Sequence, residues 1–300
     1  MTRREGLGLL VALGSGLPRA RADTGWPRTI NDAMGRTVRI EAPAQRIVAV
    51  FPSNVEILFA LGLADRVVAI GGRVRYPPEA VGKPSVGGPL GYSPEAVAAY
   101  RPDLLVLTPS HQTAVGLVEP FTRAGVPVLM LAHPDLQSVL RNIALVGRAT
   151  GSDLPASQLL GRIQQQLAAT RQRVAGRPPR SVYLETAAAE RGAFQTIGHG
   201  HYAHDALGWA GGRNVFSDLA GSQQVSAEAI AVRDPEVIIS LQAVPKPAAT
   251  IAARPGWQHL RAVREGRVVV LDRGHKLIPG PRQIEAVQAY AQALHPELFA

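Results

Sequence analysis

Residues 153–174, DLPASQLLGRIQQQLAATRQRV, lie at the centre of the chain and read as a single element. Apolar side chains recur in this stretch every three or four positions, a spacing that places them on one face of an α-helix. These side chains are Ala156, Leu160, Ile163, Leu167 and Val174. Glutamines and arginines fill the other face, and the sequence GRPP at 176–179 stops a helix because proline cannot continue one. The pattern predicts one long amphipathic helix.

On both sides of this helix, short β-branched segments alternate with helical patterns. The predicted strands cover 46–51, 67–70, 104–108, 126–131, 181–185, 237–241 and 267–271. Such alternation is typical of parallel sheets covered by helices. We therefore expect an α/β protein with two Rossmann-like lobes, each built on a parallel sheet, joined by a single long connector helix, with a ligand cleft between the lobes. The expected boundaries are 23–150 for the N-terminal lobe, 151–177 for the connector helix and 178–300 for the C-terminal lobe.

The two expected lobes share a repeated segment. Residues 93–107, SPEAVAAYRPDLLVL, recur as SAEAIAVRDPEVIIS at 226–240, with Ser, Glu, two Ala and Pro in register. Each copy reads as an N-cap serine, a glutamate in the first helical turn and a proline that ends the helix before a strand. Glu95 and Glu228 thus predict a two-point acidic docking face for a partner with two basic sockets. The alternative is that each carboxylate only complements a helix dipole.

The first 22 residues have the layout of a secretory signal peptide. Two arginines precede an apolar segment over 6–17, and Ala20-Arg21-Ala22 offers a cleavage site. Thr2-Arg3-Arg4 leaves both the general secretory and the twin-arginine routes open. No later segment approaches the ~18 apolar residues that span a bilayer. We therefore expect a periplasmic protein that is not embedded in the membrane and, since the 300 residues contain no cysteine, is not lipid-anchored.

The composition is that of a globular protein with an excess of basic residues, since 32 Lys and Arg stand against 23 Asp and Glu. The arginines are scattered singly and aromatic residues make up only 5%. Because nucleic-acid binding needs clustered charge and stacking rings, we expect no nucleic-acid partner. The lack of cysteine excludes disulfides, thiolate nucleophiles and Cys-ligated zinc or iron–sulfur clusters.

The ordered set of segments resembles the substrate-binding proteins of ABC importers, specifically the helix-linked class III group that captures cobalamin, haem and ferric siderophores. The matching segments are RIVAVFPSNVE at 46–56, ALGLADRVVA at 60–69, YPPEA at 76–80, VGG at 86–88, RPDL at 101–104, AGGRNVF at 210–216, RPGW at 254–257, VREGRV at 263–268 and PGPR at 279–282. The resemblance implies a monomer with its ligand in the cleft. It also implies that Glu95 and Glu228 pair with arginines of a permease dimer.

Residues at strand ends and helix starts that face the cleft are expected to bind the ligand, as in other parallel sheets. The candidates are Ser53, Asn54, Arg73, Arg75, Tyr92, His111, His275, Lys276 and Arg282. The cationic groups favour an oxygen-rich anion, since guanidinium groups suit planar, bidentate contacts. We therefore expect an anionic metal chelate of ferric siderophore or cobalamin type and no intrinsic cofactor, because the metal arrives within the ligand. Solvated loop charges, and a helix cap at Ser53 and Asn54, are the alternatives.

Residues at the matching positions disfavour close copies of two sites known in the family. Cobalamin binders line the cleft with aromatic rings, whereas the matching residues here are Arg73, Pro89, Gln195 and Ser222. Haem binders often supply an axial tyrosine where this chain has Gly88. Cobalamin stays within the main expectation, and haem or a free metal or oxyanion remain alternatives.

His199, His201 and His204 form the most unusual cluster in the sequence. His201 and His204 are one helical turn apart, and three imidazoles at such spacing are candidate ligands for Zn, Ni, Cu or Fe. Solvated loop histidines are the alternative explanation.

A chelatase-like enzyme is the main rival class, because such enzymes share the two-lobed architecture. The sequence contains no nucleophile elbow, P-loop or His-Glu-x-x-His motif. We therefore expect a binding protein and not an enzyme.

Overall fold

The computed structural model of the chain describes residues 25–88, 91–109, 115–190, 193–243 and 246–299. The predicted signal peptide and the candidate His111 lie outside these ranges. The strands are β1 (Arg28–Asn31), β2 (Thr37–Ile40), β3 (Ile47–Ala49), β4 (Val67–Ile70), β5 (Gly87–Gly88), β6 (Gly91–Tyr92), β7 (Leu104–Leu107), β8 (Val128–Met130), β9 (Arg180–Glu185), β10 (Ala187–Glu190), β11 (Ala193–Ile197), β12 (Gly212–Asn214), β13 (Ser222–Ser226), β14 (Val237–Gln242) and β15 (Val268–Asp272). The helices are α1 (Pro52–Ala60), α2 (Pro78–Val81), α3 (Pro94–Ala98), α4 (Val118–Arg123), α5 (Leu136–Thr150), α6 (Asp153–Val174), α7 (Tyr202–Trp209), α8 (Ala227–Arg233), α9 (Ala248–Ala252), α10 (Arg261–Arg264) and α11 (Gln283–Leu294).

Two four-stranded parallel sheets form the centres of the lobes. The first has the order β4-β3-β7-β8 and the second the order β12-β9-β14-β15. Counted along the chain within each lobe, both orders are 2-1-3-4. The predicted α/β class with two parallel-sheet lobes is confirmed, and all seven predicted strands are present to within two residues at each end.

Three of the central strands are buried along their whole length. Every residue of β3, β7 and β14 is buried, as expected for parallel strands covered by helices on both faces. The sequence patterns did not predict three small antiparallel sheets, which are β1-β2, β5-β6 and β10-β11-β13.

The connector helix α6 spans 22 residues and has the predicted ends, so it is about 33 Å long. Its buried face includes Ala156, Ile163, Leu167 and Val174 as predicted, and Leu159 is buried where Leu160 was expected. A single apolar cluster contains side chains from the first lobe, from α6 and from the second lobe. The lobes therefore share a continuous core at the connector. Within the described ranges, no helix has both the length and the apolar character that crossing a bilayer requires.

The sequence repeat extends to the backbone. Ser93 and Ser226 each cap their helix, with the side-chain oxygen accepting a hydrogen bond at 3.2 Å from the backbone N–H three residues later. Arg101 and Asp234, which occupy equivalent positions in the two copies, have φ values of 44° and 37°. Among the described residues, no other non-glycine residue has a positive φ.

Candidate ligand-binding cleft

A cavity of about 800 Å³ lies between the two lobes. Most of its walls come from residues that follow strands of the sheets, where parallel folds place their ligands. The described lining residues of the first lobe are Met34, Val50, Phe51, Pro52, Ser53, Arg73, Gly88, Tyr92, Thr108, Pro109, Ala132, His133 and Pro134. Those of the second lobe are Gly200, His201, Tyr202, Ser222, Arg273, Leu277, Ile278 and Pro279.

Arg73 is brought to the cleft by a tight turn after β4. In this turn Gly72 N–H donates to Gly87 O at 2.7 Å, and a side chain at Gly71 would clash, because its Cβ would lie 2.0 Å from Val50 O. The Arg73 side chain lies near Tyr92: burial raises the pKa of Tyr92, and the charge of Arg73 acts against that rise. The first lobe therefore presents an adjacent arginine and tyrosine.

The second lobe presents a similar pair. Arg273 follows β15, and its N–H donates to Gln242 O at 2.8 Å at the end of the neighbouring strand. Tyr202 is buried at the start of α7. Burial raises the pKa of Tyr202, and the charge of Arg273 opposes that rise. Each lobe thus places one guanidinium and one phenol at the cavity, and no Asp or Glu belongs to its described lining.

Three phenylalanine or tyrosine rings are among the described residues that line the cavity. Phe51 and Tyr92 are in contact with ring centroids 6.5 Å apart, and Tyr202 lies across the cleft in the second lobe. None of these three rings occupies a position at which cobalamin binders of the family have their aromatic residues. The rings come instead from the residue before α1, from β6 and from the start of α7.

Two partly buried imidazoles, those of His133 and His201, are among the described lining residues. Burial lowers the pKa of His133 to about 4. Burial, followed by the neighbouring His204, lowers the pKa of His201 to about 4. His201 Nδ1 accepts a hydrogen bond from Ala203 N–H at 3.1 Å, so the neutral ring carries its proton on Nε2. Both imidazoles are uncharged near pH 7, and the positive charge of the wall belongs to the arginines.

The structure does not bring His199, His201 and His204 together as a metal site. His199 Nδ1 lies 3.2 Å from Ser217 O, and His204 Nδ1 accepts a hydrogen bond from Asn214 Nδ2 at 3.2 Å. His201 Nδ1 accepts its hydrogen bond from Ala203 N–H. Each of the three rings therefore has one nitrogen that contacts a protein partner. Across the described residues, no group of three His, Cys, Asp or Glu side chains is placed to hold a metal ion.

Ser53, Arg73 and Tyr92 are the predicted ligand residues that the structure places at the cleft. Asn54 is not part of the described wall: it is fully buried, and its amide donates to Val106 O at 3.2 Å, so it joins α1 to β7. Arg75 instead donates to Gly72 O and Val74 O at 2.9 Å.

His275, Lys276 and Arg282 are also absent from the described wall. His275 Nε2 lies 3.1 Å from Glu285 Oε2, and the Lys276 carbonyl accepts a long hydrogen bond from Gln283. Arg282 forms an ion pair with Glu56 of the other lobe. These three residues were expected in the cleft because they follow a predicted strand, but the side chains of His275 and Arg282 pair with Glu285 and Glu56 instead.

Sequence reasoning did not single out Phe51, His133, Tyr202 and Arg273. A signal was available for two of them, since His133 and Arg273 each come two residues after a predicted strand, the location that parallel sheets use for ligand contacts. The rings of Phe51 and Tyr202 adjoin helix starts and resemble ordinary core residues in the sequence.

Glu95 and Glu228 occupy equivalent sites on the two lobes, each in the first turn of its helix. Both carboxylates are exposed. Ser93 Oγ donates to Glu95 Oε2 at 2.6 Å, and hydrogen bonds from Ser93 and Ser226 hold the pKa values of the two glutamates below their usual range. Both groups are therefore ionised at neutral pH.

Comparison with known proteins gives a consistent result. The chain is 30% identical over 91% of its length to YvrC of Bacillus subtilis, described as an uncharacterized ABC transporter substrate-binding lipoprotein, and the match covers 87% of that protein. The crystal structure of a periplasmic haem-binding protein from Pseudomonas aeruginosa is 28% identical, with a TM-score of 0.72 over 84% of this chain and 93% of that one. The crystal structure of the periplasmic vitamin B12-binding protein BtuF of Vibrio cholerae is 25% identical, with a TM-score of 0.73 over 84% of this chain and 97% of that one.

The family model described as "Periplasmic binding protein" matches residues 47–273, a range that runs from the first strand of the first sheet through the last strand of the second. The fold, the cleft and the relatives agree with this match. The chain belongs to the periplasmic binding protein family, as its resemblance to the helix-linked binding proteins predicted.

Proposed function

We propose that this protein captures an anionic metal chelate in the cleft and delivers it to an ABC importer. One observation carries the proposal: Arg73 and Arg273 reach the same cavity from opposite lobes, while its described lining contains no carboxylate. A site of this charge attracts oxygen-rich anions and repels cations, and charge of one sign in a cleft also speeds encounter with an oppositely charged ligand. Ligand groups such as carboxylate and catecholate match the planar guanidinium fork.

The uncharged part of the wall suits a large ligand with flat or apolar surfaces. Phe51, Tyr92 and Tyr202 offer ring faces, and Leu277 with Ile278 adds aliphatic surface. In this proposal the metal arrives within the chelate. A ferric siderophore is the ligand class that best combines negative charge with this surface.

Cobalamin is the second candidate, and the aromatic lining is the observation that favours it. Haem is a further alternative, since its two carboxylates would match the two arginines. Relatives described as vitamin B12-binding and haem-binding proteins support keeping both in the ligand set.

A titration with three probes separates these ligands. We expect ferric enterobactin or another anionic ferric chelate to bind with submicromolar Kd by calorimetry, and haemin and cyanocobalamin to bind more weakly. Arg73→Met and Arg273→Met should each raise the Kd by roughly tenfold or more, the loss of one charge-assisted contact. Arg75→Met is the matched control, because Arg75 lies two residues from Arg73 but outside the described wall.

Two outcomes would contradict the proposal. Equal affinity of the Arg73→Met, Arg273→Met and Arg75→Met variants for an anionic chelate would remove the electrostatic argument. Binding of cyanocobalamin alone would replace the siderophore with the second candidate. Recovery of each probe unchanged after incubation checks that the protein binds without turnover, as expected for a binding protein of this family.

For delivery, we propose that Glu95 and Glu228 dock the protein, as a monomer, on a permease dimer. The two carboxylates are exposed, ionised and equivalent on the two lobes. The double variant Glu95→Gln/Glu228→Gln should keep its ligand affinity and lose uptake in a transport assay. Uptake at the unmodified rate would contradict docking through these two groups.

We further propose that the chain is exported to the periplasm through residues 1–22 and carries no lipid on a cysteine. The signal layout and the absence of cysteine from the 300 residues support this. Cell fractionation and mass spectrometry of the mature protein test it. Recovery in the membrane fraction with a lipid adduct would contradict it.

A further inference from the structure

An ion pair connects the two lobes beside the cleft. Glu56 lies on α1 of the first lobe and Arg282 at the N-terminal end of α11 of the second. Arg282 Nε donates to Glu56 Oε1 at 3.1 Å, and Nη2 donates to the same oxygen. The Glu56 side chain is 3% exposed and that of Arg282 is 22% exposed. The contact is therefore largely withdrawn from solvent.

Arg282 has a second partner in the first lobe. Its guanidinium carbon lies 3.4 Å from the centroid of the Tyr76 ring, a cation–π contact. Glu56 and Tyr76, from α1 and from the loop after β4, thus hold the same guanidinium group on two sides. Arg282 cannot leave one of these contacts without disturbing the other.

The backbone of the second lobe also packs directly on Glu56. A Cβ at Gly280 would lie 2.5 Å from Glu56 Oε2, so only glycine allows this approach. Glu56 Oε2 is buried and accepts no hydrogen bond from the described residues. A pair of this kind loses much of its Coulomb attraction to desolvation. The Glu56–Arg282 pair therefore fixes the relative position of the two lobes more than it stabilises the fold.

The contact continues into the cleft wall on both sides. Ser53, one helical turn before Glu56 on α1, lines the cavity, and so do Leu277, Ile278 and Pro279 just before Gly280. We propose that Glu56, Tyr76 and Arg282 form an interlobe latch that sets the width of the cleft, with Arg282 as its positioning residue. Displacing Arg282 would shift the Leu277 to Pro279 wall relative to α1.

A second interlobe contact explains why the latch would matter. Asp205 Oδ2 of α7 accepts a hydrogen bond from Leu136 N–H at the start of α5 at 2.9 Å. Together with α6 this contact joins the lobes at the connector, and a joint of that kind alone leaves the lobes able to tilt. A second attachment point restricts the tilt. The latch is therefore the element whose loss should widen the range of interlobe distances.

The absence of cysteine makes the interlobe distance directly measurable. Ala98→Cys on α3 and Val232→Cys on α8 place spin labels on exposed sites of opposite lobes. Double electron–electron resonance on the ligand-free protein then reports the distribution of distances. We expect one narrow distribution for the parent pair.

The variants Glu56→Gln, Arg282→Met and Tyr76→Leu should each broaden this distribution or shift its mean by more than about 2 Å, the scale of a rearrangement beyond side-chain adjustment. Arg282→Lys keeps the charge but not the fork, and should lie between Arg282→Met and the parent. Glu119→Gln is the matched control, since Glu119 pairs with Arg123 within α4 of one lobe. The control should leave the distribution unchanged.

A distribution identical to the parent's in both the Tyr76→Leu and the Arg282→Lys variants would overturn the latch, and so would an unchanged distribution in Glu56→Gln or Arg282→Met if that variant folds. Tyr76→Leu and Arg282→Lys are included because these two variants should fold even if the variants that remove a charge do not. Tyr76 is 40% exposed, and Arg282→Lys retains a positive charge to pair with Glu56. The measurement needs no ligand. Failure of the probe titration would leave the latch standing, and failure of the latch would leave the ligand proposal standing.

Discussion

The two lobes have the same framework and different interiors. Both sheets have the strand order 2-1-3-4, and the repeated segment gives both lobes a serine cap and a left-handed residue before the third strand. The register of β3 on β7 and of β9 on β14 shows which residues are equivalent in the two lobes. Val50, directly after β3, occupies the position that Glu185 occupies at the end of β9. Val50 is an apolar side chain in the described lining of the cleft, whereas Glu185 is a fully buried carboxylate that accepts hydrogen bonds from Ser240, Gln242 and Arg254.

This difference shows that the repeat preserves backbone geometry while the chemistry at the strand ends diverges. In the first lobe the strand end is apolar and forms ligand-facing wall. In the second lobe a charged group occupies the same place and needs several partners, because a buried charge is stable only when it is paired and hydrogen-bonded. The second sheet should therefore depend on polar contacts that the first sheet does not have.

The largest effect is expected where the lobes differ most. Arg254→Met leaves Glu185 buried and unpaired and should lower the free energy of unfolding by about 3–5 kcal/mol. Glu185→Leu/Arg254→Met, which makes the second lobe apolar like the first, should lose less than the single variant. Urea unfolding followed by circular dichroism measures both. A loss below about 1 kcal/mol for Arg254→Met, the range of exposed pairs, would show that the two interiors are energetically alike.

A property that the two lobes share can be tested by pH. His133 in the first lobe has a folded pKa of about 4 against 6.5 for the free group. Between these values the unfolded chain binds a proton that the native chain does not, so the stability is complete above pH 6.5 and is lost as the pH falls toward 4. The loss is on the order of 3 kcal/mol. Thermal unfolding of His133→Gln from pH 7 to pH 4 should show a shallower loss than the parent.

The same shift in His201 provides the counterpart in the second lobe. His201→Asn retains a side chain that caps α7 and should likewise flatten the pH profile. His259→Gln is the control, because that side chain is exposed. If the His133→Gln and His259→Gln profiles coincide, burial of the cleft imidazoles does not drive the acid sensitivity.

The shared framework predicts equal, smaller effects. Ser93→Ala and Ser226→Ala each remove one cap hydrogen bond and should each cost about 1 kcal/mol. Because the two caps lie in different lobes and share no partner, the double variant should cost the sum. Chemical denaturation of the three variants checks this. Unequal costs would mean that the two copies of the repeat no longer have the same energetic role.

The smallest effects are expected at the two left-handed residues. Glycine relieves the strain of a positive φ, so Arg101→Gly should be neutral or stabilising by up to about 1 kcal/mol. Asp234→Gly should gain less, because Asp234 Oδ1 accepts a hydrogen bond from Arg261 N–H at 2.7 Å that glycine cannot replace. Differential scanning calorimetry resolves the two. A larger gain for Asp234→Gly would contradict the role assigned to this hydrogen bond.

The amino-acid sequence alone was enough to predict the two-lobed α/β fold, the ends of α6, the seven main strands and the two glutamates of the repeat. These features were predictable because each has a local signal, such as the helical spacing of apolar residues, a cap serine or a run of β-branched residues. The cleft was predictable only as a set of segments, which placed Ser53, Arg73 and Tyr92 in it but also included Asn54 and Arg75.

The role of each of those segments depends on the folded arrangement of the chain. Arg282 meets Glu56 across 226 positions of the chain, and His201 was revealed as a helix cap with a neutral ring by its contact with Ala203. Arg273 became a cleft residue because β15 ends beside β14. Such roles depend on which distant groups share a small volume once the sheets are folded, and the local periodicity of a sequence does not encode those distances.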